Sequence, residues 1–144
     1  CAQMSDSESD TEYEDQEFTL GGHSLVVSTI VELGLEQLSR LEQNKDEISG
    51  QRAWPGSLLL CSFIVDHEST VQGKRILELG CGCGLTSMLA AKLGALRVLA
   101  TDGDERCLGR LRQNIARNFQ GDDTCKAAAL LWGDDASCVV IFPM

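Results

Sequence analysis

Five residues between Glu78 and Asp102 have the types and spacing to hold a ribose-bearing ligand. Glu78-x-Gly80-x-Gly82-x-Gly84 sets an acid before three glycines at alternate positions, and Asp102 follows 18 residues after the last of them. Glycine lacks a Cβ, so it reaches positive φ and lets a ligand approach bare backbone. A helix that starts at such a loop directs its first N–H groups at the ligand. A carboxylate at the end of the next strand can accept both hydroxyls of a ribose. A glycine triplet alone is a common turn. What gives this one content is its place among a strand, a helix, a second strand and a closing acid. Two rival sites fail on spacing. The dinucleotide pattern G-x-G-x-x-G would need a glycine where Leu85 or Ser87 stands, and no Gly-Lys-Ser/Thr follows for a P-loop.

Alternating elements must position these residues. Arg75 to Leu79 reads as a short apolar strand and Leu85 to Leu93 as a helix ended by Gly94. Leu96 to Thr101 reads as a second strand, closed by Asp102-Gly103-Asp104. Glu105 to Asn118 reads as a second helix, with Cys107, Leu108, Leu111 and Ile115 inside, Phe119 extending that stripe, and four arginines outside. Asp104 suits an exposed helix-start acid. Lys126 to Trp132 is expected to be a third strand and Val139 to Phe142 the start of a fourth. Strand–helix–strand order implies an α/β fold with a parallel sheet and right-handed crossovers. Ahead of it, alternation around Gly21-Gly22 predicts a hairpin over 17–28, and a helix is expected over Thr29 to Glu47. A further helix opens at Trp54-Pro55-Gly56-Ser57, capped by Gly56 or Ser57.

The net charge of -10 is concentrated in a tail. Residues 1–20 hold seven acids and no Lys or Arg, and elsewhere 15 acids nearly balance 12 bases. Such a run is too polar to bury, so residues 1–16 are expected to be disordered. No basic face suggests a nucleic-acid partner. No apolar run is long enough to span a membrane, and the acidic start is unlike a signal peptide. The seven cysteines are scattered and odd in number, which reads as reduced thiols in an intracellular protein, cytoplasmic or nuclear. Cys81 and Cys83 form a C-x-C with no second ligand pair at zinc spacing, so no metal is expected. The first residue is Cys1. Either Met4 starts the natural chain or the sequence lacks its front end.

I-L-E-L-G-C-G-C-G-L over 76–85 with A-T-D over 100–102 resembles motif I and its acidic partner in class I S-adenosylmethionine-dependent methyltransferases. F-T-L-G-G-H-S-L-V-V (18–27), A-W-P-G-S-L-L-L (53–60), R-Q-N-I-A-R-N (112–118) and L-L-W-G-D (130–134) are similar to the methyltransferase-16 family of protein-lysine methyltransferases. The resemblance covers roughly 17–135. It implies a Rossmann-like sheet, here about the first three to four strands. The expected organisation is an acidic tail over 1–16, a hairpin and helical extension over 17–73, and the cofactor-binding half over 74–144. The implied cofactor is S-adenosylmethionine, held by Trp54, Glu78, Gly80, Cys81, Gly82, Gly84, Asp102, Gly103 and Trp132. In this assignment the loop carries the methionine part, Asp102 the ribose, Trp132 the adenine face, and Trp54 one side of the pocket. Glu78 serves either the loop itself or the cofactor's ammonium. On the residues alone, Trp132 reads equally as a strand-end core residue and Trp54 as a helix-entry anchor. The implied partner is a protein offering a lysine amine, with histidine the alternative acceptor. No catalytic side chain is implied, because positioning does most of the work. The family's acceptor-side motif, an acid–x–x–Tyr/Phe sequence after the fourth strand, has no match before Met144. A C-terminally truncated chain is therefore expected, with one sheet face bare. A cofactor- or partner-binding module without catalysis is the alternative.

Overall fold

The computed structural model describes residues 13–30 and 49–133. The expected helix over 29–47 beyond Ile30, the expected fourth strand, and the tail up to residue 12 lie outside them. Strands β1 (Glu14–Leu20) and β2 (His23–Thr29) pair antiparallel, with Leu20 opposite His23. The two-residue loop Gly21-Gly22 has φ of 56° and 78°, the signs a type I′ turn demands at both central positions. Phe18, Leu20, Leu25 and Val27 share one face and enter the core. The strand takes in three residues expected to be tail, Glu14, Asp15 and Gln16. Basic side chains that the local sequence does not reveal hold them there. Arg117 pairs with Asp15 at 2.6 Å, and the Arg110 guanidinium lies 3.6 Å from the centre of the Tyr13 ring.

After a 3-10 turn at Ser49–Gln51, helix α1 (Pro55–Asp66) leads through a second such turn (Glu68–Thr70) to β3 (Arg75–Leu79). The start of α1 corrects the expected cap. Trp54 is the N-cap residue and Pro55 the first helical one, because proline's fixed φ suits that position and its missing N–H is no loss there. Gly56 and Ser57 lie inside the first turn.

The α/β unit continues with α2 (Leu85–Lys92), β4 (Arg97–Asp102), α3 (Glu105–Phe119) and β5 (Cys125–Ala129). The sheet is parallel in the order β3-β4-β5, with Glu78, Ala100 and Ala127 in register. Because the strand order never reverses, right-handed crossovers put α2 and α3 on the same face. They cover Ile76, Val98, Ala100, Cys125 and Ala127. The hairpin packs on the far side of both helices, so α2 is buried nearly all round. On the other face of the sheet Leu77 and Leu79 stand exposed, the latter at 54%. Helix α2 ends in a Schellman motif, where Ala95 N–H bonds Ala90 O and Gly94, at φ 89°, bonds Ala91 O. Helix α3 starts at Asp104, which accepts from Arg106 N–H as a cap. Strand β5 is shorter than the expected 126–132. The β4 ladder runs out at Asp102, whose carbonyl takes Leu130 N–H, and Trp132 is left 73% exposed rather than inside a strand.

Candidate cofactor site

The glycine loop sits at the C-terminal end of β3, the end of a parallel sheet where ligands bind. Three hydrogen bonds fix its shape. Cys81 N–H reaches across to Thr101 O on β4 at 2.9 Å, and Gly84 N–H closes the loop on Cys81 O at 2.9 Å. Asp102 Oδ2 accepts Gly82 N–H at 2.9 Å, and its Oδ1 accepts Asp104 N–H at 3.0 Å. The carboxylate that ends β4 is thus tied to both loops that flank the strand ends.

Packing requires glycine at two of these positions. Gly82 has φ 53°, and a Cβ there would overlap the Gly50 carbonyl. Gly84 has φ 84°, and a Cβ there would strike the Leu111 side chain. So Gly82 and Gly84 admit the protein's own backbone and core, rather than only a ligand. A Cβ on Gly80 would meet Trp132 Cζ2 at 3.4 Å, so the exposed indole stands at the loop's open side. Gly103 lies beside Leu130 and Leu131, where a Cβ would be 3.4 Å from Leu131 Cδ1. Trp54 begins α1 four residues after Gly50. It is half exposed, with the Arg52 guanidinium 5.8 Å from its ring centre.

Glu78 points inward. Its carboxylate accepts from the Ser87 hydroxyl and backbone N–H and from the Thr86 side chain, all in the first turn of α2. Leu85 N–H is directed at the Cys83 sulfur. Two of the N–H groups expected to point at a ligand, those of Leu85 and Ser87, are therefore engaged within the chain, the latter by an internal carboxylate. Burial raises the Glu78 pKa above the ordinary carboxylate value, and the bonds from Ser87 and Thr86 offset part of that rise.

The Cys81 side chain is buried, so only its backbone faces the loop's open side. Burial, the largest cause in each case, pushes the Cys61 thiol up to about 11 and those of Cys107 and Cys125 up to about 12. Cys81 and Cys83 are also raised. Among the described residues no group of three or more His, Cys, Asp or Glu is placed to hold a metal ion. These five thiols are expected to resist iodoacetamide at pH 8 in the folded protein and to react once it is denatured. Rapid labelling of any of the five in the native state, read by peptide mass, contradicts their placement.

The structure places Gly82 against Asp102 and Gly80 against Trp132, and two further partners went unread in the sequence. Gly50 carries no local signal. Asn114 does, because it falls on the buried stripe of α3 three residues after Leu111, where a polar residue needs a partner. It is fully buried and bonded to Ser28 and Cys83.

Residues 35–141 match the family model described as lysine methyltransferase. Over 87 residues the chain is 38% identical to protein-lysine N-methyltransferase EFM3 of Chaetomium thermophilum, covering 59% of this chain and 26% of that protein. Over 71 residues it is 45% identical to mouse protein-lysine methyltransferase METTL21E, covering 48% and 28%. Over 51 residues it is 45% identical to the human electron transfer flavoprotein beta subunit lysine methyltransferase, covering 35% and 20%. The chain thus spans about a quarter of the length of these relatives. Among solved structures, magnesium protoporphyrin IX methyltransferase from Synechocystis with bound SAH aligns at TM-score 0.48 and 18% identity, over 70% of this chain and 41% of that one.

Proposed function

The chain belongs to the lysine methyltransferase family, and on that premise we propose that it holds S-adenosylmethionine at Gly80–Gly84 and Asp102 for methylation of a lysine amine on a protein. The observation that carries the cofactor reading is the inward turn of Glu78. A pyrophosphate ligand needs an open helix N-terminus. Here that position is taken by a carboxylate, and a second one, Asp102, lies across the loop. An anion entering this site meets like charge, while a cation is favoured. S-adenosylmethionine, when bound, supplies a methyl group on a cationic sulfonium, together with a ribose and an adenine.

Asp102 fits the ribose. Each carboxylate oxygen can accept about two bonds, and one on each is used by Gly82 or Asp104. The remaining lone pairs suit a pair of hydroxyls, and the two backbone bonds hold the carboxylate still. Gly80 and the Cys81 backbone form the bare surface beside it, Gly103 keeps the next turn free of side chain, and Trp132 and Trp54 offer aromatic faces. The five free cysteines among the described residues suit a reducing, intracellular setting.

Incubation of the protein with methyl-labelled S-adenosylmethionine and an undermethylated protein extract tests the reading. Label recovered as methyl-lysine after acid hydrolysis supports it. Label confined to histidine or to nucleic acid contradicts the acceptor assigned.

Glu78→Gln gives an independent check. The folded-state pKa of Glu78 is raised. Its contribution to stability is therefore full below the ordinary carboxylate pKa and is lost as pH rises through the folded value. The variant should melt above wild type at pH 7, with the gap closing towards pH 4. It should also lose affinity for S-adenosylmethionine relative to its neutral product, S-adenosylhomocysteine. A melting difference independent of pH contradicts the burial described for Glu78.

A further inference from the structure

Helix α3 carries asparagines at 114 and 118, one turn apart, and both face strand β2. Asn118 accepts Val26 N–H through Oδ1 at 2.9 Å and donates Nδ2 to Val26 O at 2.7 Å. Asn114 does the same two residues along, accepting Ser28 N–H at 2.9 Å and donating to Ser28 O at 3.2 Å. Two side-chain amides thus take the place of a neighbouring strand on the free edge of the hairpin. Asn114 does one thing more. Its Nδ2 also donates to Cys83 O, in the glycine loop, at 3.1 Å. The amide orientation is unambiguous, because a flipped ring of contacts would set Oδ1 against two carbonyl oxygens and Nδ2 against an N–H. The amide is completely buried, and the Thr29 side chain of β2 reaches the same loop residue at its thiol rather than its carbonyl.

We propose that Asn114 is a positioning residue of the cofactor loop, through which hairpin strand β2 fixes the Cys83 carbonyl and hence the turn at Gly82–Gly84. The proposal deepens the cofactor assignment above and rests on it for its functional consequence. Neither Asn114 nor the hairpin touches the open side of the loop. Their effect is to hold one backbone conformation, so that binding does not have to order it. A buried carbonyl left without its donor costs more than the bond was worth, and that cost falls on the loop.

Asn118 is the built-in control, since it makes the same kind of hairpin bonds but none to the loop. Asn114→Ala and Asn118→Ala are compared by amide hydrogen exchange of the ligand-free protein and by S-adenosylhomocysteine titration. Both should loosen the Val26–Ser28 amides. Only Asn114→Ala should speed exchange at Gly82 and Gly84 and weaken ligand affinity about tenfold, the loss of roughly one hydrogen bond. Asn118→Ala should stay close to wild type in both. Should Asn114→Ala fail to fold, Asn114→Ser, which keeps a single donor, is read in the same way. Equal effects of the two positions on the loop amides, or unchanged loop amides in the Asn114 variants, overturn the proposal. The exchange readout needs no ligand, so wild type that fails to bind S-adenosylhomocysteine defeats the cofactor assignment while the loop-positioning claim is still decided.

Discussion

Gly82→Ala should destabilise the protein by roughly 3 kcal/mol or more, the sum of a left-handed backbone cost and an overpacking cost. The residue has φ 53°, and the atom its new Cβ would strike is the Gly50 carbonyl oxygen. That obstacle is backbone, so no rotamer change relieves it. Either the Ser49–Gln51 turn moves away or the loop distorts, and both alter the turn that carries the Gly82 N–H to Asp102. Gly84→Ala makes the contrast. It clashes with Leu111 Cδ1, the end of a flexible side chain. Shortening Leu111 to Ala should therefore recover part of the Gly84→Ala loss and none of the Gly82→Ala loss. Gly80→Ala should be the mildest of the three, meeting only the edge of Trp132. Chemical denaturation of the four single variants and two double variants measures the series. A Gly82→Ala protein as stable as wild type would mean that Gly50 does not lie against the loop.

Asp102→Ala should abolish measurable cofactor binding while leaving the protein folded. On the ribose role proposed for it, removing the carboxylate deletes two charge-assisted bonds, each worth about 1.5–3 kcal/mol, which amounts to about a hundredfold or more in affinity. It also frees Gly82 N–H and Asp104 N–H, so the loops on either side of β4 lose their common tie. Asp102→Asn should rescue little. Both Asp102 oxygens accept from N–H groups, and an amide can present only one oxygen. The other backbone donor would then face an NH2. Equilibrium dialysis with labelled S-adenosylhomocysteine measures both variants. Binding retained within a few-fold in Asp102→Ala would remove the ribose role from this residue and leave it only the brace.

The parts of the fold that read directly from the sequence are those decided by neighbours in the chain. Gly21-Gly22 takes positive φ at both positions without steric cost, as a two-residue hairpin loop demands, so the hairpin and its register follow. The Cys107–Leu108–Leu111 spacing fixes the buried side of α3. Gly94 and Asp104 mark helix ends through their own conformations and side chains. What did not read correctly depends on distant partners. The end of β5 is set by where β4 stops, and the strand character of Glu14–Gln16 by arginines about a hundred residues later. At the site, the glycines, Asp102 and Trp132 were legible as a set. The division of labour among them was not. Spacing says that Gly82 and Gly84 are glycines, whereas only packing shows that Gly50 and Leu111 require it. Likewise the motif marks Glu78 as an acid, and only the fold shows it turned into the first turn of α2.

The most direct test is a calorimetric titration of residues 1–144 with S-adenosylhomocysteine, followed by the same titration with NADH. The account predicts saturable one-site binding of S-adenosylhomocysteine and no heat with NADH, because Glu78 fills the helix end that a pyrophosphate would need. A folded protein that binds NADH, or that binds neither ligand, would contradict the assignment of Gly80–Gly84 and Asp102 as a methyl-donor site.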